Sequence, residues 1–462
     1  MTSGWERSVS KGFERVRTRH SRGQPISLPV SHGCVGSSPV PAMRTYDAII
    51  IGGGPAGSCA ATCLARRGRS VLVLEREVFP RFHIGESLLP YNAEIFEELG
   101  LVSKLEAAQF PIKRGAQFHL GNGTKGTAFV FRDGRFTRHT AAYQVERSRF
   151  DEILLRHAAE SGATVREGVI AERVTADSAG VTVSLSDGSS VRGQFLVDAS
   201  GRGNLTGSQE GLKVVHPKLR KLAVFAHFEG VRLDESTKAG DTVIVRQENH
   251  WFWLIPLRID ACGVGKVSVG MVMDRDEFTR LGESGEDLLQ RCVMQSPPVR
   301  VRLESAKRVS EVQVTSDFSY RNTRFWSHRC VRVGDAAGFI DPIFSSGVFI
   351  AMYSARAAAE AVQLALNSHQ DGSAFFTRYE DRMRSAMGIY QEMVDGFYTQ
   401  PFMELFLEPR AKWDLAAAIN AILAGELEGG WRLRWRMKLF FGLVRLQARF
   451  PLVPRFSFAP VS

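Results

Sequence analysis

Apolar and polar positions alternate on more than one period along this chain, and each period predicts a different element. The run Ala48–Ile51 is short and unbroken, and a glycine-rich turn follows it. An alanine-rich stretch then continues to Arg67, Gly68 stops it, and SVLVLE makes a second apolar run that ends at Glu75. Short runs that are apolar on both faces read as buried strands, here on either side of a helix. FLVDASGRGN (Phe195 to Asn204) reads as a strand entering a glycine turn. VRVGDAAGFIDPIFSSGVFIAMYSA (Val331 to Ala355) reads as a strand, a Gly-Asp turn and a long small-residue helix. From about residue 208 to 320 the runs LAVFAHFEGV, TVIVRQ and KVSVGMVM are strand-like and separated by turns. Beyond Gln363 the pattern is helical.

Two segments stand out within this pattern. In HWFWLIPL, Trp251 and Trp253 are two residues apart, so an extended chain turns both indoles to one face and Phe252 to the other. The stretch reads as a buried strand ending at Pro256, or as a wall that shields something reactive. In Trp431 to Phe450, Trp431, Trp435, Leu439 and Leu443 recur at helical spacing and predict an apolar stripe. Arg432 and Arg436 share a face, as do Arg445 and Arg449. That helix reads as packed on the domain, as lying on a membrane surface, or as docking an acidic carrier protein.

Composition narrows the class. The 462 residues are 44% hydrophobic and 23% charged, enough for two or three packed domains. No apolar run is long enough to predict a transmembrane helix. The 6 cysteines are scattered without a C-x-x-C pair, which predicts neither a zinc site nor a disulfide framework and suits a reducing cytoplasm. A net charge of +10 favours anionic partners, and without a zinc finger or an aromatic RNA-binding signature an acidic protein or a membrane surface ranks above nucleic acid. Residues 1–43 hold Arg7, Lys11, Arg15, Arg17, Arg19 and Arg22 among Ser, Gly and Pro, with Glu6 and Glu14 the only acids. They predict a disordered extension, either a transit peptide or residues read from a start codon upstream of Met43.

Candidate chemistry begins at Gly52, Gly54 and Gly57, which have G-x-G-x-x-G spacing between the first strand and its helix. Such glycines make a tight turn, admit a pyrophosphate and let helix pack on strand, while the helix start offers free N–H groups. Pro55 and Ala56 fall inside the loop. Glu75 ends the second strand at the distance that suits ribose hydroxyls, with Arg76 beside it.

With Asp335 in G-D-A-A, these segments resemble the flavoprotein monooxygenase fold of the hydroxybenzoate hydroxylase type. The resemblance implies FAD, with Asp335 at the ribityl chain and Arg147, in VERSRFD, as a further contact. It sharpens to the flavin-dependent halogenases at three places. W-F-W-L-I-P matches their W-x-W-x-I-P signature; Phe339, Pro342, Ser345 and Gly347 match F-x-x-P-x-x-S-x-G; and Lys113 sits where that family carries its essential lysine. GESLLP (Gly85 to Pro90) resembles the strap loop that links flavin to the halogenation site.

The resemblance implies an α/β enzyme with a Rossmann-like FAD-binding domain from residues 44–207 and 321–366. A β-sheet substrate domain at 208–320 and a helical region at 367–462 complete it. It implies FADH2 from a separate flavin reductase, chloride or bromide held by the amides of Ser346 and Gly347 beside Ser345, and hypohalous acid that travels to Lys113. Trp251 and Trp253 would keep the organic substrate from the oxidant. Tryptophan halogenases carry a glutamate where this chain has Phe344, so the implied substrate is an electron-rich aromatic, phenol- or pyrrole-like and either free or tethered to an acidic carrier protein. The alternative on the same scaffold is an FAD-dependent monooxygenase or a geranylgeranyl-reductase-like oxidoreductase.

Overall fold

The computed structural model describes residues 45–316, 319–409, 412–427 and 429–459; the extension expected at 1–43 lies outside the described residues. The core sheet has the order Trp326–Ser327, Cys330–Arg332, Ser190–Asp198, Thr45–Ile51, Val71–Leu74, Thr164–Arg166. From Cys330–Arg332 to Thr164–Arg166 every neighbouring pair is parallel. Helix Pro55–Ala65 starts directly after the glycine turn and is buried along its whole length. Its small side chains allow close packing: Cys59 Sγ lies 3.5 Å from the carbonyl oxygen of Met352 in helix Ser346–Ser368.

The second sheet has the order Lys307–Arg308, Lys221–Arg232, Val264–Asp274, His250–Ile259, Thr242–Arg246, Gly115–Leu120, Gly126–Val130. The three strand-like runs of the 208–320 region lie here, but the sheet also takes two strands from residues 115–130. Gly115–Leu120 pairs in parallel with Thr242–Arg246. The region also holds helices that the alternation did not predict. Gly285–Met294 and Pro297–Leu303 bury Leu288, Leu289, Cys292 and Val299 against Phe252, Leu254, Val267 and Val269 on one face of the sheet. Trp251, Trp253 and Ile255 point to the opposite face and join the main core. Strand alternation thus divides W-F-W-L-I between two hydrophobic clusters.

Two local expectations are corrected. The strand that contains Trp251 runs on through Pro256 to Ile259, and a register shift between Pro256 and Arg258 absorbs the missing N–H donor. In helix Gly430–Arg449 the buried residues are Leu433, Met437, Phe440, Phe441 and Gln447, whereas Trp431 is 71% exposed. Packing on helix Gln400–Phe406 selects that face, with Phe440 edge-on to Phe402 at 5.3 Å. Of the expected Trp431–Leu443 stripe, Trp431 and Trp435 are therefore turned outwards, while Leu439 and Leu443 are partly buried against the core. Among the described residues no helix is long and apolar enough to cross a membrane.

The tightest backbone approach in the glycine turn is at Gly57, where a Cβ would lie 1.8 Å from the carbonyl oxygen of Gly52. Backbone cannot yield as a flexible side chain can. Gly57→Ala is expected to cost roughly 3 kcal/mol or more of stability and to weaken FAD binding at least tenfold, as measured by urea unfolding and flavin titration.

Candidate active site

A cavity of about 630 Å³ lies between the two sheets, within the usual range for cofactor sites. Gly52, Gly54, Pro55, Ala56, Glu75, Arg76, Arg147, Asp335, Trp251, Trp253, Ser345 and Gly347 all line it, so one space gathers most of the residues singled out in the sequence. Gly57 lies beneath the glycine turn. Ser346 is 2% exposed and Lys113 1% exposed, and neither side chain forms part of the cavity wall.

The adenine-side half suits a dinucleotide. A Cβ on Gly54 would meet only Arg81 Nη2 at 3.5 Å, so the backbone there faces open space. Glu75 is buried; its Oε2 accepts from Gly53 N at 2.5 Å and its Oε1 from Glu77 N at 2.9 Å. Each oxygen keeps a lone pair for a ribose hydroxyl. Arg76 is largely exposed at the rim beside Glu77. Arg147 grips Asp151 through Nε at 2.7 Å and Nη2 at 2.9 Å, and its Nη1 donates to the carbonyls of Ile84 and Gly85 at 2.8 and 3.2 Å. It shares Asp151 with Arg81, whose Nη1 donates to Oδ2 at 2.9 Å, and it anchors the start of the GESLLP loop. Burial pushes the Asp335 carboxyl up to about 6, with Arg147 and Arg202 opposing the shift.

The turn before helix Ser346–Ser368 is held by Asp341, which is fully buried. Its Oδ1 accepts from Ile343 N at 3.2 Å, and Ser345 then takes a left-handed conformation with φ 56°. The helix start that follows carries N–H groups without intrahelical acceptors. A Cβ on Gly347 would find no heavy atom closer than 4.0 Å, so this backbone is also open to the cavity.

The indole pair is fixed from behind. Trp253 lies over Gly270, its cross-strand partner, where a Cβ would come within 2.2 Å of the ring. Trp253 Nε1 donates to Ser268 Oγ at 3.2 Å. Trp251 Nε1 donates to Tyr398 OH at 2.8 Å, and Tyr398 OH donates to Asp341 Oδ2 at 2.8 Å. Sequence reasoning missed Tyr398: it follows helix Ser373–Phe397, 147 positions from Trp251, and no local motif marks it. Asp341 lies inside the F-x-x-P-x-x-S-x-G stretch and could have been read there.

Lys113 sits behind the cavity on the two-residue strand Ile112–Lys113. Its Nζ donates to Ser87 Oγ at 2.8 Å and to the Leu88 carbonyl at 3.1 Å, and lies 5.6 Å from the Phe131 ring centroid. Burial lowers its pKa to about 7, against the pull of Asp241. Phe344, in place of the glutamate of tryptophan halogenases, packs among Phe118, Phe397 and Phe406 at centroid distances of 6.3, 5.9 and 6.3 Å.

A parallel sheet with this glycine turn, a buried acid at the end of its second strand and a long groove under a second sheet define an FAD-dependent oxidoreductase. The sequence profile of the tryptophan halogenase family matches residues 47–141 and 133–404. A 1H-pyrrole-2-carbonyl-[peptidyl-carrier protein] chlorinase from Pseudomonas fluorescens is 31% identical over 416 residues, covering 84% of this chain and 91% of its own. The corresponding brominase from Pseudoalteromonas luteoviolacea is 32% identical over 365 residues, covering 78% and 87%. The structure of the flavin-dependent brominase Bmp2 superposes with a TM-score of 0.78 at 30% identity, covering 88% of this chain and 100% of that one. The chain therefore belongs to the tryptophan halogenase family of flavin-dependent halogenases, whose cofactor is FAD and whose halide is chloride or bromide.

Two outcomes follow from the buried groups. Tyr398→Phe leaves the Trp251 N–H and Asp341 Oδ2 without their shared partner; it is expected to cost about 1–3 kcal/mol in urea unfolding. It should also raise the Asp341 pKa further above about 6. Below pH 7 the wild type bears the full cost of burying the Lys113 charge. That cost fades as pH rises from 7 towards the unfolded-state value, because the unfolded chain then binds the extra proton. Lys113→Met is therefore expected to be more stabilising, relative to wild type, at pH 6.5 than at pH 9.

Proposed function

We propose that this enzyme halogenates an electron-rich aromatic ring, pyrrole- or phenol-like, presented on an acidic carrier protein. The observation that carries the reading is the placement of Lys113: an amine with a pKa near 7, sealed from solvent and separated from the flavin cavity by a single hydroxyl layer. FAD fits the glycine turn, Glu75 and Asp335, and when bound in its reduced form it supplies, with dioxygen, halide and one proton, hypohalous acid and water. A separate flavin reductase would deliver the reduced cofactor.

The protein's own residues do the rest. The N–H groups of Ser346 and Gly347 hold halide by backbone dipole and carry no side chain that the oxidant would consume. Arg147 and Arg81 share Asp151, which offsets one of their two charges and holds both guanidinium groups in place. Trp251 and Trp253 exclude the aromatic substrate from the oxidant. Lys113 donates to two acceptors, Ser87 Oγ and the Leu88 carbonyl. A neutral amine has two hydrogens to donate, so its lone pair stays free to take halogen as a chloramine.

Phe344 supports an already activated ring, since an aromatic side chain offers no carboxylate to stabilise the cation of a less reactive one. The carrier-bound form of the substrate is supported by the two pyrrole-carbonyl carrier-protein halogenases among the relatives and by the net charge of +10. The scattered cysteines suit a cytoplasmic setting.

The test supplies FADH2, dioxygen and bromide together with a carrier-bound pyrrole-2-carbonyl group or a free phenol. Brominated product is expected; hydroxylated product would overturn the reading in favour of a monooxygenase. Lys113→Ala is expected to lower product per flavin oxidised at least a hundredfold. In the wild type that ratio should rise with pH through about 7, as the amine loses its proton.

A further inference from the structure

We propose that the hydroxyls of Ser87 and Thr242 form the doorway through which hypohalous acid leaves the flavin cavity for Lys113. The proposal rests on the reading of Lys113 given above and adds the two residues that connect it to the cavity. Both line the cavity, whereas Lys113 does not. Ser87 Oγ and Thr242 Oγ1 lie 2.9 Å apart, and Ser87 Oγ is the acceptor for Lys113 Nζ at 2.8 Å. On the other side, Gln144 Nε2 donates to Thr242 Oγ1 and to the Gly240 carbonyl, both at 2.9 Å.

The hydrogens can be counted. Ser87 Oγ receives one from Lys113 and Thr242 Oγ1 receives one from Gln144, so neither hydroxyl needs to direct its own hydrogen backwards. One of their two hydrogens makes the bond between them, and the other remains for the cavity side. The pair therefore offers one donor and one free lone pair. Hypohalous acid, with one O–H and lone pairs on oxygen, matches that set and can exchange with the mutual bond. A phenol or pyrrole could match the hydrogen bonding, but its ring is too wide to pass two hydroxyls 2.9 Å apart.

The doorway is also chemically quiet and mechanically fixed. Saturated hydroxyls resist the oxidant, and among the described residues the cavity lining contains no cysteine or methionine, the sulfur side chains most open to oxidation. Ser87 pairs across to Gln144 as an isolated bridge, and Leu88 N donates to the Tyr143 carbonyl at 3.1 Å, so the strap backbone is pinned where the Ser87 hydroxyl is presented. Past the doorway the amine and hypohalous acid give a chloramine or bromamine and water. The N–halogen bond forms, the O–halogen bond breaks, and the amine proton leaves with the hydroxide.

Ser87→Ala and Thr242→Val, each made in the full chain with FAD bound, test this. In single turnovers without organic substrate, mass spectrometry reads N-halogenation at Lys113; with substrate, product per flavin oxidised is read beside the oxidant captured by a thioether scavenger. Each variant is expected to lower Lys113 halogenation and the product ratio more than tenfold and to raise the captured oxidant, while Thr242→Ser restores the ratio. Either variant suffices if the other does not fold. Lys113 halogenation and product ratio within twofold of wild type in both would overturn the doorway. If Lys113→Ala instead keeps the wild-type ratio while Ser87→Ala loses it, the lysine reading fails and the doorway stands.

Discussion

One buried carboxylate holds the two halves of the site in register. Asp341 fixes the turn before helix Ser346–Ser368 with one oxygen and, through Tyr398, the Trp251 indole with the other. The helix start belongs to the parallel α/β layer and the indole to the second sheet. Placing a carboxylate in a core is costly unless its oxygens are bonded, and here both are bonded to the parts whose spacing matters. Burial nevertheless holds its pKa near 6, so it gains less from ionisation than a surface aspartate does. The arrangement is better understood as a positional constraint than as a source of stability.

That constraint explains why two large indoles suit a short strand. Trp253 lies flat because Gly270 opposes it without a side chain, and Trp251 is pulled by its N–H towards Tyr398. Each ring therefore has a separate anchor, and their centroids stay 6.0 Å apart at an interplanar angle of 53°. A wall built on packing alone could slide along the pleat. One pinned by a hydrogen bond at one end and by a glycine at the other cannot do so without breaking a buried bond.

Much of this was legible in the sequence because short-range rules dominate there. The glycine turn, its flanking strands and Glu75 follow from backbone geometry within 31 residues, and the two-residue period of W-F-W assigned both indoles to one face correctly. What escaped depends on long-range packing. Residues 115–130 join the second sheet by a parallel pairing across more than a hundred positions, which no local period encodes. Helices Gly285–Met294 and Pro297–Leu303 were hidden because each is short and apolar on only one face. In the last helix, spacing alone allowed several stripes, and contact with Phe402 decided among them. Lys113 was found by resemblance, but its sealing by Ser87 could not be, since a lysine in FPIKRGAQF reads equally well as a surface residue.

The depth of that lysine is the last piece of the argument. Were Lys113 part of the cavity wall, its positive charge would compete with the helix start for halide and its amine would meet the oxidant before halide did. Set behind a hydroxyl layer, it is reached from the flavin cavity, under the proposed reading, only by what can exchange hydrogen bonds with Ser87. The same burial that removes it from the cavity lowers its pKa to about 7, so the amine becomes a usable nucleophile near neutral pH. Under the proposed reading, seclusion and reactivity are thus two consequences of one placement: moving the nitrogen towards solvent would restore its charge, and moving it towards the flavin would end its isolation.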